Sequence, residues 1–390
     1  MKRRKYYTSL WGTIFLFTSI CTFSQTTEII NGVRTVHNIK GGKLGDKPDV
    51  SIQLIRKIGD IDTLDENLAF NYPSDIALDA LGDIFVLDSA NHRIQKFSPE
   101  GKYLATFGRR GQGPGEFYNP DSFDIDSNGF FFVMDKYQRR IQTLKASGEG
   151  DRTISLFDET LRRVRCLKSG SLAVISDLLP YSFKDRAEPP KMIKILDQKG
   201  NVLRAFVDAV NYYDGTKSAL GNAIDYAIDK DDNFYISFAF HNKVEKYTAG
   251  GNLLYRADWP INFSTGSWGA DFAPAEMEIC SAGIAVDIKN RIWVAALEEP
   301  LQKKERVSVS TILVAPRRGG ATRVSKITKG DTDLRTSDSF SLYVFDNEGI
   351  LLGRLPLSHF VDGVRIIGDN LFLLDQVRGV TFYHYKIIEK

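Results

Sequence analysis

The stretch FGRRGQGPGEFYNP, residues 107–120, sets Gly108, Gly111, Gly113 and Gly115 beside Arg109 and Arg110. Two kinds of chemistry fit such residues. The amides of a glycine-rich loop can cradle a phosphate while arginine neutralises its charge. Alternatively, the glycines only turn the chain, at backbone angles that other residues resist. A phosphate loop follows a strand and opens a helix, so the flanking elements decide. Other chemistry would need convergence of scattered residues. His37, His92, His241, His359 and His384 are far apart in sequence, and neither H-E-x-x-H nor G-x-S-x-G occurs. Cys166 and Cys280 are too few for a disulfide framework, and burial is the expected state of both.

The elements come from a repeat. Shifted by 47 positions, the chain matches itself: Phe70 meets Phe117, Pro73 meets Pro120, Asp79 meets Asp126 and Asp88 meets Asp135. Arg93-Ile94-Gln95 meets Arg140-Ile141-Gln142 in the same register. Apolar pairs at strand spacing, separated by D-x-x-G turns, read as short antiparallel strands. Further copies begin near Asp229 and Asp287, with degenerate ones at VRCLKSGSLAVIS and VRIIGDNLFLLD. That makes six units of about four strands, the last one strand short. SIQLIRKIG (51–59) resembles GKYLATFG (101–108), so it is expected to supply the missing strand. The fold class is all-β, a six-bladed β-propeller whose N-terminal strand completes the last blade and closes the ring, which protects the sheet edges. In this reading residues 107–120 link two blades. A strand follows the glycines, which argues against a phosphate loop. Phe117 is expected to pack between blades.

Residues 1–24 read as a signal peptide: a basic MKRRK, then the apolar LWGTIFLFTSICTF. Its removal takes four bases and no acid, turning a net charge of +2 into −2. A near-neutral body excludes a nucleic-acid polyelectrolyte. Location is therefore exported, periplasmic or extracellular, with no transmembrane helix in the mature chain. Residues 25–50 read as a hairpin turning at Asn31-Gly32 and a linker, and 51–390 as the propeller, with a blade-five insertion at about 298–338.

The units VLDSANHRIQKF, GRRGQGPGEFYNP and VMDKYQRRIQTL resemble NHL repeats, and the whole resembles an exported bacterial six-bladed propeller of that family. The resemblance implies that Asp88 and Asp135 brace the turns carrying Arg93 and Arg140. It does not select a function, since this architecture hosts RNA-binding, protein-binding and enzymatic members. Blade four departs, with Phe238 and Lys243 in those two columns.

Long insertions fall in the links between blades and between second and third strands, which share one face of a propeller. That face is the expected working face. Its candidates are Arg109, Arg110, Tyr118, Tyr137, Arg139, Tyr181, Phe183, Tyr212, Tyr213, Trp259, Trp268 and Phe272. Aromatics with arginines suit a protein, peptide or carbohydrate ligand. The insertion places eight bases against Glu305 between 303 and 329, Arg317 and Arg318 among them, which suits an anionic partner. The alternative is a metal-dependent hydrolase or lyase, similar to lactonase or amidating-lyase propellers. It would use Asp75, Asp121, Asp225 and Asp362 on the inner strands, with calcium or zinc possible only in that case. Arg163 and its neighbours among those acids favour ion pairing instead. No cofactor is therefore expected for a binding module.

Overall fold

The computed structural model describes residues 24–43, 45, 47–156, 160–177, 183, 188–314, 322–329 and 333–390. Residues 1–23 of the segment expected as a signal peptide, and Tyr181, Arg317 and Arg318, lie outside the described residues.

The fold is the six-bladed propeller. Blade one comprises Pro73–Leu78, Ile84–Asp88, Arg93–Phe97 and Tyr103–Phe107. Blades two to five open on the inner strands Ser122–Ile125, Leu161–Cys166, Ile224–Ile228 and Ser281–Val286. Blade six pairs Gly363–Ile367, Asn370–Asp375 and Thr381–Glu389 with Val50–Ile58, so the early strand closes the ring, with Ile58 opposite Phe382. The D-x-x-G turns work by side-chain capture: Asp79 accepts the amides of Leu81 and Asp83 at 2.9 and 3.0 Å, and Asp126, Asp229 and Asp287 repeat this.

The core lies between blades. Every adjacent pair of blades shares one apolar layer, including six with one, where Ile58, Phe372 and Phe382 meet Ile76, Ile84 and Val86. Phe117 is fully buried between blades one and two against Phe85 and Phe123. Gly108 has φ +80, and a Cβ there would meet the Phe117 ring at 2.2 Å, so the turn and the buried ring require each other.

The hairpin Gln25–Ile30 and Val33–Asn38 forms as expected, with Asn31 and Gly32 at its turn. Its position is new. Val33–Asn38 runs parallel to Leu253–Asp258, making blade four six-stranded. Asn38 anchors it, donating to the Asp258 carbonyl at 2.7 Å and accepting the Leu351 amide at 2.9 Å. In the blade-five insertion, Ser308–Val314 and Thr322–Lys329 form a separate two-stranded hairpin. Cys166 and Cys280 are free, and Cys280 is buried.

Candidate functional site

The repeat explains where a site can form. In blade one, Asp88 is fully buried and accepts Arg93 Nε at 2.8 Å and the Asn71 amide at 2.7 Å. Blade two repeats this through Asp135 and Arg140, and Arg140 also donates to the Gln112 and Glu116 carbonyls of the preceding link. The pair thus pins a link against its blade. In blade four the columns hold Phe238 and Lys243, and the Lys243 ammonium lies 3.7 Å from the Phe238 ring centre. Beside this substituted pair is a cavity of about 340 Å³, lined by Tyr212, Phe238, His241, Lys243, Asp258 and the hairpin residue His37 among others.

An aromatic group stands beside it. His241 stacks on Trp268 with ring centroids 4.6 Å apart, Tyr212 lies 5.2 Å from the same indole, and Phe272 stacks on it at 6.0 Å. Tyr212 Oη is 3.3 Å from His241 Nε2, and Lys217 Nζ lies 5.1 Å over Phe272. The short helix Gly215–Gly221, capped by Asp214 accepting the Lys217 amide, positions Tyr212 and Lys217. Burial, aided by Lys243, pushes His241 down to about 4, so its imidazole is neutral at physiological pH. His37 is shifted the other way. Its hydrogen bond to Asp258, at 2.5 Å, outweighs burial, and Glu28 at 3.0 Å adds to it.

The remaining candidates are dispersed. Tyr118 stacks on His92 at 5.8 Å under the Arg110 guanidinium, and Arg109, largely exposed, pairs with Glu116 at 2.8 Å. Glu116 also accepts the Gly113 amide at 2.9 Å. The chain's own carboxylate therefore occupies the glycine loop where a phosphate would have to sit. Tyr137, Arg139 and Tyr213 are exposed, while Phe183 packs on the layer between blades three and four. Trp259 differs from the expectation placed on it. It is 1% exposed, packed against Tyr343 and Phe345, and has no face for a ligand. The reason is strand phase, for Tyr255, Ala257 and Trp259 alternate inward along one strand and its extension. Sequence reasoning missed His241 and the cavity residues His37, Asn242, Lys243 and Asp258.

At the axis the acids meet arginines. Asp75, 4% exposed, receives both terminal nitrogens of Arg165 at 2.8 and 3.1 Å, Arg365 Nη1 at 3.0 Å and the Phe123 amide at 3.1 Å. Arg365 also pairs with Asp124. Arg163 grips Asp225 with two nitrogens, at 2.9 and 3.0 Å, and its amide donates to Asp121. Asp362 stands apart, exposed, accepting the Gln376 amide at 2.8 Å. Burial raises Asp75, but Arg165, Arg365 and Arg163 together hold it well below the usual carboxylate range. Among the described residues no group of three or more His, Cys, Asp or Glu is placed to hold a metal.

A family model described as a 6-bladed beta-propeller matches residues 60–262, from the link before blade one to the link after blade four. The chain belongs to the DUF5128 family. No curated protein matches this DUF5128 chain significantly. Among solved structures it is similar to a member of the DUF4221 family from Bacteroides vulgatus, with TM-score 0.55 and 11% identity over 88% of this chain and 100% of that one. A candidate exported protein from Bacteroides fragilis is equally similar, with TM-score 0.55 and 11% identity over 91% and 99%. A gluconolactonase from Xanthomonas campestris lies further off, with TM-score 0.49 and 11% identity over 89% and 97%. Likeness at such identity concerns the fold and carries no activity to this propeller. No helix among the described residues is long and apolar enough to cross a membrane.

Proposed function

We propose that this propeller is an exported, NHL-like binding module that seats a carbohydrate or peptide on its link face, at Trp268, Tyr212, Phe272 and His241. The carrying observation is the stacked group beside a cavity of about 340 Å³. Flat rings supply stacking area at little conformational cost, and Asp258, Asn242, Lys243 and His37 supply hydrogen bonds at the cavity wall. A sugar ring, apolar on its faces and polar on its edge, fits that division best. The basic N-terminal segment and the apolar run behind it support export. The eight bases between 303 and 329 suit an anionic partner.

Metal-dependent hydrolysis at the axis is the weaker reading. Asp75 and Asp225 would have to exchange arginine partners for a cation, leaving buried guanidinium groups uncompensated.

The test is binding of wild type and Trp268→Ala to glycan and peptide arrays. Wild type should retain a defined ligand class that Trp268→Ala loses at least tenfold, with unchanged Tm, while Arg109→Ala retains it. Equal retention by Trp268→Ala would remove the proposal.

A further inference from the structure

A second cavity lies on the axis at the other end of the molecule. Each inner strand starts at the link face and ends at the D-x-x-G turns. This cavity, about 340 Å³, is lined by the ends of the inner strands and by the turns that follow. It lies across the molecule from Trp268 and shares no lining residue with the cavity there.

Its walls are divided by chemistry. Blades four to six present aliphatic groups, among them Ile228, Ile284, Val286, Val364, Ile366 and Ile367. Ile228, Val286, Ile366 and Ile367 are only half-buried, so apolar surface is left facing the opening. The ionic part is Arg165 and the exposed Lys168 of blade three, joined by Arg365, whose guanidinium reaches from blade six to Asp75 and Asp124, and by the exposed Lys230 on the blade-four turn. With Arg163, five cations line the cavity against the acids Asp124, Asp229 and Asp232. Asp75 and Asp225 are not among the lining residues; they hold the guanidinium planes in place by multiple contacts. Asp229 spends its oxygens on the amides of Asp231 and Asn233 and on the Tyr235 hydroxyl.

We propose that this axial cavity binds a small amphipathic carboxylate, with its hydrocarbon on the aliphatic wall and its head group on the Arg165, Arg365 and lysine side. Fixed guanidinium planes reduce the ordering cost of binding, and the exposed Lys168 and Lys230 add cationic donors that the acids beneath do not occupy with both carboxylate oxygens. The volume falls within the usual span of small-ligand sites, about 300–1,000 Å³. This assignment does not depend on the carbohydrate or peptide reading of the link face.

Calorimetric titration of the full chain with decanoate tests it, with decanol, decyltrimethylammonium and acetate as comparators. Decanoate should saturate at one per chain, decanol should bind at least tenfold more weakly, and the cation and acetate should not saturate. Lys168→Glu/Lys230→Glu alters only exposed side chains and should weaken decanoate at least tenfold with unchanged Tm. Ile367→Glu should abolish it from the apolar side. Trp268→Ala should leave it unchanged, so failure here and failure at the link face are distinguishable. No saturation by decanoate, equal binding of decanol or the cation, or full binding by the double lysine variant would each overturn the proposal.

Discussion

Lys243 holds its ammonium 3.7 Å from the centre of the Phe238 ring, at the two positions where blade one joins Arg93 to Asp88. The exchange replaces an ion pair that locks a link with a cation–π contact beside a cavity. Restoring the repeat should remove the site. Phe238→Asp/Lys243→Arg is expected to fold with Tm equal to or above wild type and to lose link-face ligand binding. Thermal melts with array binding check this; retained binding would separate the cavity from function.

Trp259 and Trp268 lie in and beside one link, yet their substitutions should diverge. Trp259→Ala removes a fully buried indole and should cost about 3–5 kcal/mol in denaturant unfolding. Trp268 is half-buried on the link face, so its loss should register in binding. Comparable stability losses in both would make Trp268 a packing residue.

His37 and His241 should titrate in opposite directions from 6.5, readable in one NMR pH series. His241 should change near pH 4 and stay neutral above it. His37 has a folded pKa above its unfolded value, because Asp258 and then Glu28 favour its charged form over the opposing effect of burial. Its contribution is therefore complete below about pH 6.5 and fades as pH rises through the folded value. Limited proteolysis of the 25–38 hairpin should accelerate across that range, and His37→Gln should flatten the dependence.

Asp75 pairs with both Arg165 and Arg365, with little exposure on any of the three, and is the only carboxylate that Arg165 hydrogen-bonds among the described residues. Asp75→Asn leaves a buried guanidinium uncompensated and should cost about 3–5 kcal/mol in urea unfolding. Asp75→Asn with Arg165→Met should recover part of that loss. A neutral single substitution would mean water already screens the axis.

Much of the fold was legible because it repeats. The Asn31-Gly32 turn is a local pattern with fixed chemistry, and the repeat, one strand short at its end, left a place for the closing strand. What periodicity cannot give is where elements outside the repeat attach. Nothing local in Val33–Asn38 specifies a parallel partnership with Leu253–Asp258, because Asn38 finds its partners at Asp258 and Leu351 only in the folded ring. Trp259 was readable in hindsight from its phase with Tyr255 and Ala257. The best signal for the site was a defect in the pattern: where Phe238 and Lys243 interrupt the Asp and Arg columns, the molecule has room beside a blade.

The pairing of Ile58 with Phe382 also bears on how the chain is made. Thr381 follows Ile58 by 323 residues, so Val50–Ile58 is synthesised long before its partner and the intervening blades must wait with an open seam. During that interval the early strand has no partner in its own chain and is open to pairing with another copy. A chain halted anywhere before residue 381 lacks the partner of its first propeller strand. Its first and last blades then remain unjoined, and such a product is a ready substrate for proteases.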